Sequence, residues 1–399
     1  MTRSVSILGA TGSVGLATLD LIAAAPAGQY AVTALTANTR AAELAELALR
    51  FRPRFTALSD PRQAHVLEAA LAGSGLQWGA GASAVAEAAS MDADWTMAAI
   101  VGAAGLAPTL AAVKRGKVVA LANKEALVCA GPLFMESARL SGATILPVDS
   151  EHNAIFQALG GSDAASVRRI ILTASGGPFR NSSLETMARA SVRDAVAHPV
   201  WSMGAKISVD SATMMNKGLE VIEACHLFAL PPEKVDVIVH PESIVHGLVE
   251  HQDGGLLAQM GTPDMRTPIA HALGWPDRME TRVSRLDLPA LGTLTFEAPD
   301  PQRFPALDLA RAAFREGGAS PVILNAANEI AVDAFLNGHV GFLDIAAIVA
   351  DSLEQGEGVA RGSLTDFDTV YAADAAAREL AVSLVKARAR RSASLAQGA

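Results

Sequence analysis

Short apolar runs rich in β-branched residues alternate with Ala/Leu-rich stretches of helical spacing through the first 150 residues. The runs 4–8, 31–36, 54–58, 95–101, 117–122 and 143–148 predict strands, with helices such as 41–50 and 106–115 between them. Near-continuous apolar strands separated by helices imply a parallel sheet covered on both faces, which binds ligands at the carboxyl ends of its strands. From Asp149 to about Gly274 the pattern changes to clustered Ser, Gly, Asn, His and Met, with strand signals at 168–173 and 235–239. Residues 275–305 contain Pro276, Pro289, Pro299, Pro301 and Pro305 with little periodicity, and read as a connecting arm. Helical spacing returns at 307–315, 326–336 and 345–353. The expectation is an α/β chain: an N-terminal dinucleotide-binding domain over 1–148, a central α/β domain with a lid loop over 149–274, the arm, and a C-terminal helical domain over 306–390. The chain from Lys386 onward reads as a frayed solvated end, with 391–399 a flexible tail.

Composition narrows the classes. A chain of 399 residues, 50% hydrophobic and 18% charged, suits two or three packed domains. Its formal net charge of −9 argues against a nucleic-acid partner, so any anion site must be local. Cys129 and Cys225 are too few for a disulfide framework and favour a reducing, cytoplasmic setting. The run 97–113 carries no charge and approaches the length of a membrane span, but Gly102, Gly105 and Pro108 split it into strand, turn and helix start. No membrane partner is expected.

Candidate chemistry gathers where strands end. Residues 9–15 read GATGSVG directly after the first predicted strand. Gly9, Gly12 and Gly15 permit a tight turn and close approach to a pyrophosphate at a helix N-terminus, the Rossmann-like arrangement; a plain strand–helix turn is the alternative. The second strand runs into Asn38-Thr39-Arg40 without the acid that binds a ribose 2′-hydroxyl, so Arg40 and its polar neighbours favour NADP over NAD. Asn38 or Thr39 also suits a helix cap.

Residues 146–153 read LPVDSEHN. In extended backbone Asp149 and Glu151 point to one side, and like charges so placed need a cation; oxygen ligands suit Mg²⁺ or Mn²⁺. A solvated acidic turn is the alternative. In SVDSATMMNKGLE, residues 208–220, a helix from Met214 onward sets Asn216 and Glu220 on one face with Lys217 alongside. Glu220 would complete the metal set, and Ser211, Asn216 and Lys217 offer donors to phosphate oxygens, the alternative being a surface helix pair. Ser175-Gly176-Gly177 offers a second anion cradle or a plain turn before Pro178, the loop from His198 through Trp201 to Gly204 resembles a lid or a core loop with one buried Trp, and Lys124 falls at the sheet edge of Asp149.

Together GATGSVG, AAIVGAAGL, LANKE, PVDSEHNAIFQ, ASGGPF, HPVWSMG, KISVDSATMMNKGLE and TPDMRTPIAH resemble the 1-deoxy-D-xylulose 5-phosphate reductoisomerase family, from Ile7 to about Ala377. The resemblance implies homodimers that use NADPH and Mg²⁺ or Mn²⁺ to convert 1-deoxy-D-xylulose 5-phosphate to 2-C-methyl-D-erythritol 4-phosphate in the non-mevalonate route to isoprenoid precursors. By motif, Asp149, Glu151 and Glu220 are expected as metal ligands, Ser150 and Glu151 against substrate, and Ser175, His198, Ser211, Asn216 and Lys217 at its phosphate. Trp201 is expected to close over the carbon chain, with Lys124, Glu151 and Glu220 catalytic. Thr11, Gly12, Ser13, Val14, Asn38, Arg40, Asn123, Lys124, Glu125, Gly204 and Met265 are the expected cofactor contacts. Asn38-Thr39-Arg40 departs from the Gly, basic residue and Asn usual in the family. Two rivals remain at this point: a semialdehyde dehydrogenase using a nucleophilic cysteine, and a non-catalytic NADP-binding regulator.

Overall fold

The computed structural model describes residues 2–162, 164–356 and 364–397. In chain order the first elements are β1 (Arg3–Leu8), α1 (Ser13–Ala24), β2 (Tyr30–Ala37), α2 (Ala41–Phe51), β3 (Phe55–Leu58), α3 (Ala64–Leu71), β4 (Trp78–Ala80), α4 (Ala82–Ser90) and β5 (Trp95–Ala98). They continue with α5 (Leu106–Val113), β6 (Val118–Leu121), α6 (Glu125–Ser141), β7 (Thr144–Pro147), α7 (Ser150–Leu159), β8 (Val167–Ala174), α8 (Leu184–Ala188), α9 (Val192–Val196), α10 (Ala205–Ala212) and α11 (Met215–Phe228). The remainder are β9 (Val235–Val239), β10 (Val245–His251), β11 (Leu256–Met260), α12 (Arg266–Gly274), α13 (Leu288–Leu291), α14 (Ala306–Glu316), α15 (Ser320–Leu336), α16 (Phe342–Gln355) and α17 (Phe367–Gln397).

Two compact units emerge. The first comprises Met1–Ala126, Phe134–Asn153 and Asp264–Ser284; the second comprises Leu127–Leu133, Ala154–Pro263 and Arg285–Ala399. The partition expected at 148/149 and 274/275 is thus replaced by an interleaved one.

The first unit is built on a seven-stranded sheet ordered β4-β3-β2-β1-β5-β6-β7, parallel throughout. The last six residues of β2 and all of β5 are buried, as a sheet covered on both faces requires. Strand order reverses between β1 and β5, and sheets of this kind bind ligands beyond the carboxyl ends of the strands at such a reversal. Helix α12 belongs here because its apolar face is used here: Ile269, Ala272 and Leu273 are fully buried. Its last turn is tied down by the Trp95 indole, which donates to Ala272 O at 3.0 Å, and by Arg3, which donates to Leu273 O at 2.6 Å.

The second unit carries a four-stranded mixed sheet ordered β11-β10-β8-β9, in which only β8 and β9 are parallel. Ile170, Leu172, Val235 and Val249 of this sheet share one core with Val332, Phe335, Phe342, Ile345 and Ile348 of α15 and α16. The C-terminal helices are therefore not a separate domain. They complete the core of the sheet, with Phe342 in edge contact with Phe179 at 4.7 Å. Helix α17 continues to Gln397 where a frayed end was expected from Lys386, because Arg388 is held by Asp344 at 3.1 Å and Asp351 at 2.7 Å. Gly398 and Ala399 of the expected tail lie outside the described residues.

Three strands escaped the periodicity. β4 has three residues with a central glycine, β10 is interrupted by His246 and Gly247, and β11 is a mostly exposed edge with no buried face to impose a pattern. The uncharged run 97–113 divides into the end of β5, a turn and α5. Among the described residues no helix is long and apolar enough to cross a membrane.

The start of α1 is among the tightest points of the first unit. A Cβ on Gly15 would lie 2.3 Å from Gly9 O and 2.7 Å from Ala10 Cα, both backbone atoms that cannot rotate away. Gly15→Ala is expected to destabilise the protein by roughly 1–3 kcal/mol, the usual range for overpacking, lowering the urea midpoint at unchanged slope. An unaltered midpoint would contradict this packing.

Candidate functional site

In the first unit the loop after β1 is shaped to receive an anion. Gly9 has φ +92° and its N–H donates to Thr36 Oγ1 at 2.9 Å; a Cβ there would meet Ala99 O at 2.6 Å, so only glycine lets the loop lie against the end of β5. Helix α1 starts at Ser13 with Gly12 as N-cap, no side-chain cap and no acid in its first turn. Its terminal N–H groups and dipole therefore favour a negative group. Asn38, Thr39 and Arg40 are exposed beyond β2, and the Arg40 guanidinium donates to Thr11 O at 2.9 Å and to Glu43 at 3.1 Å. This places a cation against the glycine loop. Asn123 is fully buried; its amide donates to Ile100 O at 2.7 Å and Gly102 O at 3.0 Å while Oδ1 accepts from Ala126 N–H at 2.9 Å. Its side chain braces the loops after β5 and β6.

The same strand ends carry the first carboxylates. Lys124 Nζ lies 2.5 Å from Asp149 Oδ2, with side-chain exposures of 8% and 17%, so the pair is largely withdrawn from water. Ser150 Oγ donates to Glu151 Oε2 at 2.7 Å. Glu151 is not in extended backbone as the sequence suggested. It sits in the first turn of α7, where the helix dipole favours a carboxylate, and its oxygens still come within 4.8 Å of those of Asp149. His152 is buried, with a ring nitrogen within the same distance of Asp149; the sequence reading did not single it out.

In the second unit β8 ends at Ala174 and opens into Ser175-Gly176-Gly177, with φ +80° and +63° at the two glycines. A Cβ on Gly177 would lie 2.9 Å from Ser211 O, so the missing side chain brings this loop directly onto α10. His198 Nε2 is 2.7 Å from Ser175 Oγ, and burial lowers the His198 pKa. Trp201, half-buried in the loop between α9 and α10, has its ring centroid 6.1 Å from that of His246, and Gly204 is the N-cap of α10. Met265 is the N-cap of α12 in the first unit.

Helix α11 begins after Met214, which has φ +62°. Asn216 Nδ2 donates to Glu220 Oε1 at 2.5 Å and Lys217 Nζ to Glu220 Oε2. Lys217 is 4% exposed and Glu220 0%, which removes the alternative of a surface helix pair. Here the two expected phosphate donors bond to the expected metal ligand. A carboxylate so buried requires such partners.

Two further features went unread in the sequence. His246, in β10, is buried beside the lid and its pKa is pushed down to about 4, mainly by burial. Behind Ser211, buried Asp210 takes Asn328 Nδ2 of α15 at 2.8 Å and Lys206 at 3.0 Å. The signal available was a pair of asparagines, Asn325 and Asn328, within the largely apolar stretch that opens α15. Both cysteines are buried and burial pushes the Cys225 thiol up to about 12, so a thiolate nucleophile is disfavoured and the semialdehyde dehydrogenase reading loses its reactive group.

Known proteins match the chain over nearly its whole length. A family model described as 1-deoxy-D-xylulose 5-phosphate reductoisomerase matches residues 5–131, its C-terminal domain model matches 145–228, and a DXP reductoisomerase C-terminal domain model matches 260–380. The 1-deoxy-D-xylulose 5-phosphate reductoisomerase of Rhodospirillum centenum is 57% identical over 385 residues, covering 96% of this chain and 95% of its own. That of Caulobacter vibrioides is 54% identical over 392 residues, covering 98% of each. The Zymomonas mobilis enzyme, solved in complex with NADPH, superposes with a TM-score of 0.90 at 53% identity over 96% of this chain and 99% of its own. A DOX-P reductoisomerase solved with NADPH, fosmidomycin and magnesium gives 0.90 at 46% identity over 96% and 98%. At such identity over nearly its whole length, the chain belongs to the 1-deoxy-D-xylulose 5-phosphate reductoisomerase family.

Proposed function

We propose that the chain converts 1-deoxy-D-xylulose 5-phosphate to 2-C-methyl-D-erythritol 4-phosphate in non-mevalonate isoprenoid precursor biosynthesis. As a member of its family it is an NADP-dependent oxidoreductase that requires a divalent metal. The observation that carries the reading down to residues is the burial of two lysine–carboxylate pairs, Lys124–Asp149 and Lys217–Glu220, since ionisable groups so withdrawn from water cluster at functional sites.

The residues fit both cofactors. Asp149, Glu151 and Glu220 would hold one ion through oxygen alone, the donor set of Mg²⁺ or Mn²⁺. Thr11, Gly12, Ser13 and Val14 would take the NADPH pyrophosphate, Asn38 and Arg40 its 2′-phosphate, and Asn123, Lys124, Glu125, Gly204 and Met265 its nicotinamide end. When bound, the ion supplies Lewis-acid stabilisation of charge on substrate oxygens and NADPH supplies the hydride. The chain does the rest. Ser175, Ser211, Asn216 and Lys217 bind the phosphate, with His198 beside them, and these contacts, remote from the reacting carbons, orient the substrate. Ser150 and Glu151 fix its hydroxyls, Lys124 places an ammonium beside the reacting oxygens, and Trp201 covers the carbon chain against water.

Homodimer formation and a cytoplasmic setting belong to the same reading. Edge strand β11 leaves Leu256 and Leu257 about half exposed, at 52% and 51%, and an apolar edge of this kind is suited to pairing with a second copy. Two buried free cysteines suit a reducing compartment.

NADPH absorbance followed with 1-deoxy-D-xylulose 5-phosphate and Mg²⁺ or Mn²⁺ tests the activity. Turnover is expected, and its absence with both metals would refute the reading. Asp149→Asn and Glu220→Gln should each lower kcat/KM by about a hundredfold or more, as loss of roughly 3 kcal/mol of charge stabilisation predicts. Undiminished rates would remove those residues from the metal site. Arg40→Ala should raise KM for NADPH about tenfold, one charge-assisted hydrogen bond, with NADH kinetics unchanged; an unaltered NADPH/NADH preference would place the 2′-phosphate elsewhere.

A further inference from the structure

Asn153, in α7 of the first unit, is 1% exposed, and its surroundings dictate how its carboxamide is turned. Its Nδ2 donates to Pro147 O at 2.8 Å. A carbonyl oxygen only accepts, so the amide nitrogen, not the amide oxygen, must face it. The same nitrogen lies 3.1 Å from His271 Nδ1 on α12. With the nitrogen so fixed, the imidazole can answer only as an acceptor, which puts its own proton on Nε2 and leaves the ring neutral. Burial works the same way, pushing the His271 pKa down to about 4. The two hydrogen bonds reach two separate elements. The one to Pro147 closes the turn from the end of β7 into α7, which carries Asp149 and Glu151. The one to His271 holds α12, whose last turn is tied by Trp95 and Arg3 and whose N-cap is Met265.

We propose that Asn153 is a positioning residue that registers the metal carboxylates against the nicotinamide: one amide hydrogen holds the turn carrying Asp149 and Glu151, and the other, through His271, holds the helix at whose start Met265 meets the cofactor. The inference rests on the metal and nicotinamide contacts proposed above. Reduction requires the hydride donor to stand at a set distance from the substrate carbon, and a misplacement of about 1 Å costs on the order of a hundredfold in rate. A single side chain that donates to both elements fixes their separation.

Substitutions on either side of the contact separate its two arms. His271→Leu removes the acceptor on α12 and leaves the turn at Pro147 closed, whereas His271→Asn presents an amide oxygen near the Nδ1 position. With saturating NADPH, Mg²⁺ and 1-deoxy-D-xylulose 5-phosphate, His271→Leu is expected to lower the single-turnover rate of NADPH oxidation about tenfold, and His271→Asn to keep it within about twofold of wild type. Mn²⁺ affinity should be unchanged in both. Asn153→Ala should lower the rate and also weaken Mn²⁺ binding about tenfold, because the turn that carries the carboxylates is no longer held. In the Asn153→Ala background His271→Leu should cost nothing further, since the donor is already gone. A full tenfold loss there would overturn the proposal. Paramagnetic broadening of the nicotinamide C4 proton of NADP⁺ by bound Mn²⁺ reads the separation without turnover. It should change in His271→Leu and return to the wild-type value in His271→Asn; equal broadening in all three would show a contact that only stabilises the fold, and would overturn the proposal. Nitrogen-15 spectra of the wild-type protein need no variant. An Nε2–H tautomer is expected for His271, and an Nδ1–H tautomer overturns the proposal. If the wild-type enzyme turns over no substrate, the functional reading falls, while the broadening and the tautomer still decide this inference.

Discussion

A carboxylate withdrawn from water persists in ionised form only beside a positive partner, and this constraint governs the chemistry of the chain. Asp149 is held by Lys124 at the end of the parallel sheet, and Glu220 by Lys217 on α11. Each lysine–acid pair is assembled within its own unit from residues close in sequence or on adjacent strand ends. Each unit therefore carries its acidic group paired with a local ammonium.

The folds of the two units explain why these groups sit where they do. In the first, strand order reverses between β1 and β5, and the glycine loop, Lys124 and Asp149 all follow the carboxyl ends of strands of that sheet. In the second, the C-terminal helices and the mixed sheet share one core. Helix α10 is consequently braced from α15 through Asn328 and Asp210, one residue before Ser211. The proposed phosphate contact Ser211 is thereby placed beside a link to a helix more than a hundred residues away, and rigidity there is a property of the whole unit.

Much of this was legible in the sequence because the relevant signals are local. GATGSVG announces a strand–helix turn by its glycines, Asp149 and Glu151 are two residues apart, and Asn216, Lys217 and Glu220 fall within about one helical turn. What stayed hidden depends on long-range packing. The sequence set Asp149 and Glu151 in extended backbone, whereas α7 starts at Ser150 and its first turn positions Glu151. α12 lies beyond the expected boundary because the faces it fills, Trp95 Nε1 and Arg3, come from the first hundred residues. β11 has no buried face to impose a period, and the brace from Asn328 to Asp210 joins positions that no short window contains.

The central claim is that acids from two distant stretches of sequence share one ion. Anomalous scattering from a crystal grown with NADPH and Mn²⁺ tests it most directly. One manganese peak within coordination distance of oxygens from Asp149, Glu151 and Glu220 is the predicted result. Manganese held by the first two alone, or bound away from all three, would contradict it.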